Sequence, residues 1–201
     1  QVKNGGLILF VGGKNEAQEM VRSVAQDISM PYVAGRWIGG TLTNHSEIKK
    51  RIEHLKDLVS KREKGEFETK YTKKERLMID REIDDLKTNF QGLLPMEGMP
   101  SALCVVDIKH EFTAVAEAKG KNIPIIGLLN SDSNISGIKY PIVANDATRK
   151  SITFFINELV AAYKEGLNMS TAVSASPATG KESEKSMAEI AGEKAETKHQ
   201  E

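Results

Sequence analysis

Three uninterrupted apolar runs, at 7–11, 102–106 and 123–129, punctuate the chain. None alternates apolar with polar residues, so each is expected to be a strand buried on both faces, as in a parallel sheet. Pro124 falls at the start of the third run, where a missing amide donor is tolerated. Residues 31–33 predict a short further strand and 140–143 an edge-like one. Between the strands the period lengthens. Ala17, Val21, Val24, Ala25 and Ile28 share one face of a helix, with Asn15 and Gln18 spaced as a capping box. A second helix is expected over 113–121, with Ala114, Val115 and Ala118 inward. A third carries Ile152, Phe155, Ile156, Leu159 and Tyr163 inward; Asn145 is expected to cap it and Gly166 to end it. Strand–helix–strand alternation with short connections predicts a parallel sheet covered by helices on both faces.

The block 46–90 breaks this rhythm. Lys, Arg, Glu and Asp dominate it, and Ile48, Ile52, Leu55 and Val59 recur at intervals of four, three and four, as do Ile79, Ile83, Leu86 and Phe90. That is the seam of a short coiled coil. A polar connector at 61–70, containing Gly65, joins the two halves into an antiparallel hairpin, each arm roughly 25 Å long. So polar a hairpin is expected to project from the core. The domain plan is therefore an α/β core from 1–45 and 91–166, a hairpin insertion at 46–90 and a disordered tail at 167–201, which is rich in Ser, Thr, Ala, Lys and Glu.

Charge changes the picture by its balance. The 28 Lys and Arg match 28 Asp and Glu, so any nucleic-acid binding must rest on local patches. The single Cys, Cys104, sits inside a strand run and reads as an inert buried thiol in a reducing compartment. No apolar run is long enough to span a membrane. Gln1 leads into the first strand within a few residues, as expected of a piece of a longer chain.

In sheets of this kind ligands lie beyond the carboxyl ends of the strands. Gly12-Gly13-Lys14-Asn15 occupies such a position, before a helix N-terminus that suits an anion. It lacks the phosphate-loop fingerprint, because position 8 is Ile and Asn15 stands where Ser or Thr is required. Asp107, His110 and Glu111 follow the second long strand. Ala114 stands where a second histidine ligand would fall, so Asp107 is expected to cap the next helix, and neither metal nor cofactor is called for. The most distinctive stretch is Arg36-Trp37-Ile38-Gly39-Gly40-Thr41-Leu42-Thr43-Asn44, with the chain's only Trp. Its Gly pair makes a tight turn, and Thr43 or Asn44 is expected to cap the next helix. Arg36, fixed beside that turn, calls for an anionic partner.

These motifs together resemble the bacterial-type ribosomal protein S-two family of the small subunit. Leu9-Phe10-Val11-Gly12 with Lys14 and Ala17-Gln18, Met30-Pro31-Tyr32-Val33, the Arg36–Asn44 string, Pro100-Ser-Ala-Leu, Val105-Val106-Asp107, Glu117-Ala118, Ile123-Pro124, Tyr140-Pro141-Ile142 and Asn145-Asp146 carry the likeness. Gly13 stands where Thr is common, and the family's N-terminal region is absent. The resemblance implies a flavodoxin-like fold with an inserted coiled-coil hairpin. It implies a non-enzymatic structural role on the cytoplasmic (or organellar) ribosome, contacting small-subunit ribosomal RNA and neighbouring proteins, including the large S-one protein. On this reading the RNA face comprises Lys14, Asn15, Arg36, Trp37, Asn44, His45, Lys49, Lys50 and Arg51. The alternative is a small-molecule or nucleotide-binding flavodoxin-like enzyme domain, suggested by fold and the Gly12-Gly13-Lys14 turn alone.

Overall fold

In a computed structural model, which describes residues 6–174, the chain forms five parallel strands with helices on both faces. Strand β1 (Ile8–Val11) leads into helix α1 (Asn15–Asp27) and the two-residue strand β2 (Tyr32–Val33). Helices α2 (His45–Glu63), α3 (Glu66–Lys70) and α4 (Lys73–Phe90) follow, closed by a 3-10 turn at Gln91–Leu93. Then come β3 (Ala102–Val106), α5 (Phe112–Gly120), β4 (Ile125–Leu129), β5 (Tyr140–Val143) and α6 (Arg149–Ser174). The strand order β2-β1-β3-β4-β5 is that of a flavodoxin-like doubly wound sheet. The hairpin thus occupies the crossover that carries the chain from edge strand β2 past β1 to β3.

Alternate residues of the central strands feed two apolar layers. Ile8, Phe10, Ala102, Cys104 and Val106 meet Ala17, Val21 and Val24 of α1 and Ile152, Ile156 and Val160 of α6. Leu9, Val11, Leu103, Val105, Ile125 and Leu129 face the other way, toward Ala114, Val115 and Ala118 of α5. This second layer is continuous with Trp37 and Leu42 of the glycine turn, with Leu93 and Met96, and with the hairpin seam of Ile48, Ile52, Leu55, Leu58, Ile83, Leu86 and Phe90. Leu58 is buried where the spacing indicated Val59, which is half-buried beside it. The connector is less polar in structure than in sequence. Gly65 takes the left-handed conformation (φ 69°), and α3 turns Phe67 inward.

Several helix ends differ from expectation. Asn15 is the first residue of α1 rather than its cap. The Lys14 carbonyl accepts from Ala17 and Gln18 amides, and Gln18 Nε2 turns back to Gly13 O at 2.7 Å, so no capping box forms. Asn44 precedes α2 without a side-chain cap. Its Oδ1 accepts from Ser46 Oγ instead, and the Thr43 hydroxyl is engaged elsewhere. Asn145 closes a turn on the Ala147 amide, and the helix begins only at Arg149. That helix passes through Gly166 to Ser174, because a lone glycine lowers helix propensity without terminating a helix whose inner face is packed. The expected tail therefore begins inside a helix, and 175–201 lie outside the described residues.

The root of the hairpin depends on a close backbone approach. A Cβ on Gly92 would collide with the Tyr32 carbonyl and ring. Gly92→Ala is expected to prise the 3-10 turn off β2 at a cost of about 1–3 kcal/mol, as for other overpacked sites. Thermal melts check this. Val106→Asp buries an unpaired charge in the layer under α1 and α6, and cooperative unfolding is expected to disappear altogether.

Candidate nucleic-acid interface

The glycine turn is built around one carboxylate. Glu117 lies on the inward face of α5, 9% exposed. Its Oε1 accepts from Trp37 Nε1 at 3.1 Å and from the Gly40 amide at 2.8 Å. Its Oε2 accepts from the amides of Leu42 (2.9 Å) and Thr43 (3.0 Å) and from the Thr43 hydroxyl (3.2 Å). Gly40 reaches this geometry with φ 95°, a conformation side-chain-bearing residues avoid. The anionic partner anticipated for Arg36 thus binds the turn itself. Arg36 is exposed, and neither its side chain nor its amide contacts a partner among the described residues. Burial opposes ionisation of Glu117, but the Trp37 indole and the Gly40, Leu42 and Thr43 amides outweigh it and hold the carboxyl below its ordinary value of 4.5.

The carboxyl edge of β1 and β3 is filled from within. Asp107 sits in the left-handed region (φ 63°) and closes its turn by accepting the Lys109 and His110 amides on Oδ1. Its Oδ2 receives Lys14 Nζ at 3.0 Å, and Asp146 Oδ1 lies 4.0 Å from the same ammonium. Asp107 therefore closes a turn ahead of α5 and pairs with Lys14. Burial penalises its charge, yet the His110 amide and Lys14 hold its carboxyl below the usual range. Burial and the neighbouring Asp107 charge push Asp146 upward. Beside them the buried Glu111 accepts the Gly13 amide at 2.8 Å and faces His110 Nδ1 at 2.8 Å. The amide and ammonium that would have met a phosphate are both bonded to carboxylates of the chain itself.

The residues assigned to an RNA face separate accordingly. Lys14 is turned inward, and Trp37 is buried with its indole on Glu117. Asn15 and Asn44 are exposed, whereas His45 is half-buried with Nδ1 lacking a partner. Lys50 pairs with Glu47 at 2.6 Å, while Lys49 and Arg51 are exposed. Successive helix positions turn by about 100°, so Lys49 and Arg51 flank opposite sides of the buried Ile48–Ile52 seam. Arg36, Lys49 and Arg51 remain the free cations of this set among the described residues. Sequence reasoning named Glu111 in the cluster weighed for metal and Glu117 in the family likeness, but assigned neither its bracing role. The signal for Glu117 was a charge between Ala114 and Ala118 on an otherwise apolar helix face. Sequence reasoning missed Phe112, which is 70% exposed at the start of α5. Together with Arg36, Trp37, Gly39 and His110, Phe112 lines a crevice of about 560 Å³.

Fold and edge define an α/β scaffold of flavodoxin type whose phosphate-seat amide and ammonium are taken by its own carboxylates. The chain belongs to the Ribosomal protein S2 family, which matches residues 1–166. It is similar to the small ribosomal subunit protein uS2 of Mycobacteroides abscessus, 43% identical over 166 residues, covering 83% of this chain and 60% of that one. The protein of the same name from Mycolicibacterium vanbaalenii is 40% identical over 183 residues, covering 91% and 67%. That of Opitutus terrae is 40% identical over 167 residues, covering 83% and 55%. The chain thus spans about three-fifths of the length of curated relatives it matches.

Glu117→Gln replaces one acceptor by a donor aimed at amide donors. A loss of about 2 kcal/mol is expected, from donors left unsatisfied in a buried site, which lowers the melting temperature by roughly 4–8 °C. The sign with pH follows from the depressed carboxyl. The unfolded chain takes up the proton first, so the stabilisation is complete above the ordinary value of 4.5 and is lost as pH falls through the lower folded-state value. Melts across acid pH should show this fall for the native chain and a shallower one for Glu117→Gln.

Proposed function

We propose that this chain is a structural constituent of the small ribosomal subunit, without catalytic activity of its own, and that it acts in translation in the cytoplasm. Its family membership over 1–166 supports the reading, as do relatives that carry the name of a small-subunit protein. The rim around Arg36 grips ribosomal RNA backbone, with Lys49 and Arg51 at the base of the hairpin adding phosphate contacts. A free guanidinium can hold a phosphate with two hydrogen bonds. Lys14 supports this rim from within. The core, 1–45 with 91–166, carries the RNA face together with the base of the 46–90 hairpin, and the hairpin beyond that base is an arm for neighbouring ribosomal proteins, the large S-one protein among them. Among the described residues no helix is long and apolar enough to cross a membrane. The alternative, a nucleotide-binding enzyme domain, finds no support at the sheet edge, where Glu111 and Asp107 hold the Gly13 amide and the Lys14 ammonium.

The test is assembly into small subunits reconstituted without this protein, across a salt series. The triple variant Arg36→Ala, Lys49→Ala, Arg51→Ala should lose occupancy and reduce the salt slope by up to about 3, roughly 1 per phosphate contact removed. Lys14→Met should lower the melting temperature and leave the slope alone. Wild-type occupancy and slope in a folded triple variant would remove this rim from the RNA interface.

A further inference from the structure

The crevice beside the Trp turn has a chemistry that backbone gripping does not use. One wall is the Phe112 ring, 70% exposed where α5 begins. The opposite wall is the turn itself, with Arg36 unpartnered. The backbone amides of residues 36–39 donate to nothing among the described residues, and Gly39 has open space around the position of a Cβ. Glu111 also lines the crevice, but its carboxylate is buried and already bonded to Gly13 and His110. What is left lining the cavity is a flat apolar ring, an unpartnered cation, the exposed His110 imidazole and a stretch of turn whose amides are free. Those features complement a planar ring tethered to an anion.

We propose that this crevice seats one unstacked nucleotide of an RNA strand, its base against Phe112 and its phosphate on Arg36 and the neighbouring amides. An RNA duplex cannot use such a site, because its base faces are already stacked; a strand with an extruded base can. A second crevice flanks the other side of Phe112, lined by Lys109 and Lys119. Lys109 is paired with Asp132 and Lys119 with the Ser136 carbonyl, so the free cation lies on the Arg36 side. The cavity of about 560 Å³ is of the size that takes a small planar ligand. The inference rests on the reading of the Arg36 rim as an RNA surface and adds base stacking to it.

The experiment compares binding of the full chain to a short single-stranded RNA and to a fully paired RNA duplex of equal length, by anisotropy of the labelled RNA. Phe112→Ala and Phe112→Leu should each weaken the single strand by about 5- to 150-fold, the effect of removing one base stack, and leave the duplex unchanged. Phe112→Trp should restore single-strand binding. The ring is exposed, so melting temperatures should not move. Arg36→Ala should weaken both probes. If it does so while neither Phe112 variant weakens the single strand, the nucleotide seat is overturned and the rim reading stands. Equal losses for strand and duplex in Phe112→Ala also overturn the seat. If neither Arg36→Ala nor Phe112→Ala affects either probe, seat and rim both fall.

Discussion

One carboxylate organises the most distinctive part of this chain. Glu117 projects from α5 into the layer beneath the sheet, where an unpaired charge costs several kcal/mol, and collects donors from Trp37, Gly40, Leu42 and Thr43. The bargain works because a turn with a left-handed Gly40 can aim successive amides at a single point. Removing any one element leaves the others unsatisfied. Without the carboxylate the amides face apolar side chains; without the turn the charge is orphaned. The consequence reaches the surface. Trp37 is pulled inward, Leu42 enters the core, and the neighbouring Arg36 is left at the rim with nothing to bind inside the protein. Rigid support from below fixes where the Arg36 backbone presents its guanidinium, so no backbone ordering has to accompany the gripping of an anion.

The same logic occupies the donors with which flavodoxin-type sheets hold ligands. Two carboxylates, Glu111 and Asp107, arrive from the β3–α5 loop and occupy the amide and ammonium at the start of α1. A position that elsewhere in this fold is a phosphate seat is here an internal brace between β1 and β3. The unpartnered groups lie to one side, on the turn after β2 and the first residue of α5. Fold alone therefore does not place the chemistry, which has to be argued from the partners of individual side chains.

The strands were legible because burial on both faces leaves continuous apolar runs, and those at 7–11, 102–106 and 123–129 contain β1, β3 and β4. The hairpin was legible from its seam. Helix ends were less so. Asn15, Asn44 and Asn145 all look like caps, but neighbours two or three residues on, Gln18, Ser46 and the Ala147 amide, take their side-chain oxygens instead. Gly166 looked like a stop because the packing that carries α6 through it is non-local. Within the site, Arg36 was legible as a special position, whereas its partnering was not. The acid that fixes its turn lies about 80 residues away in sequence, beyond the reach of any local pattern. Lys14 was assigned outward on the strength of its helix N-terminus, and Asp107 from the adjacent strand reversed it.

Net charge is zero, yet the surface is not electrostatically neutral in effect. Lys14, Lys50, Lys61, Arg62, Lys70, Lys109, Arg149 and Lys164 are matched to carboxylates of the chain itself. Most of these pairs are exposed and contribute little to stability, but each removes a cation from the field a distant polyanion sees. Arg36, Lys49 and Arg51 are among the cations without such a partner and lie where the turn after β2 runs into the hairpin, while Lys56, Lys73, Lys74, Arg81 and Lys87 leave further unmatched charge along the arm. A uniformly basic protein attracts any nucleic acid in any orientation. A balanced one attracts weakly overall, and the placement of its unmatched cations decides which faces do so. Under the proposed role, orientation is the property such a component needs, with one end meeting RNA and the arm beyond it meeting protein.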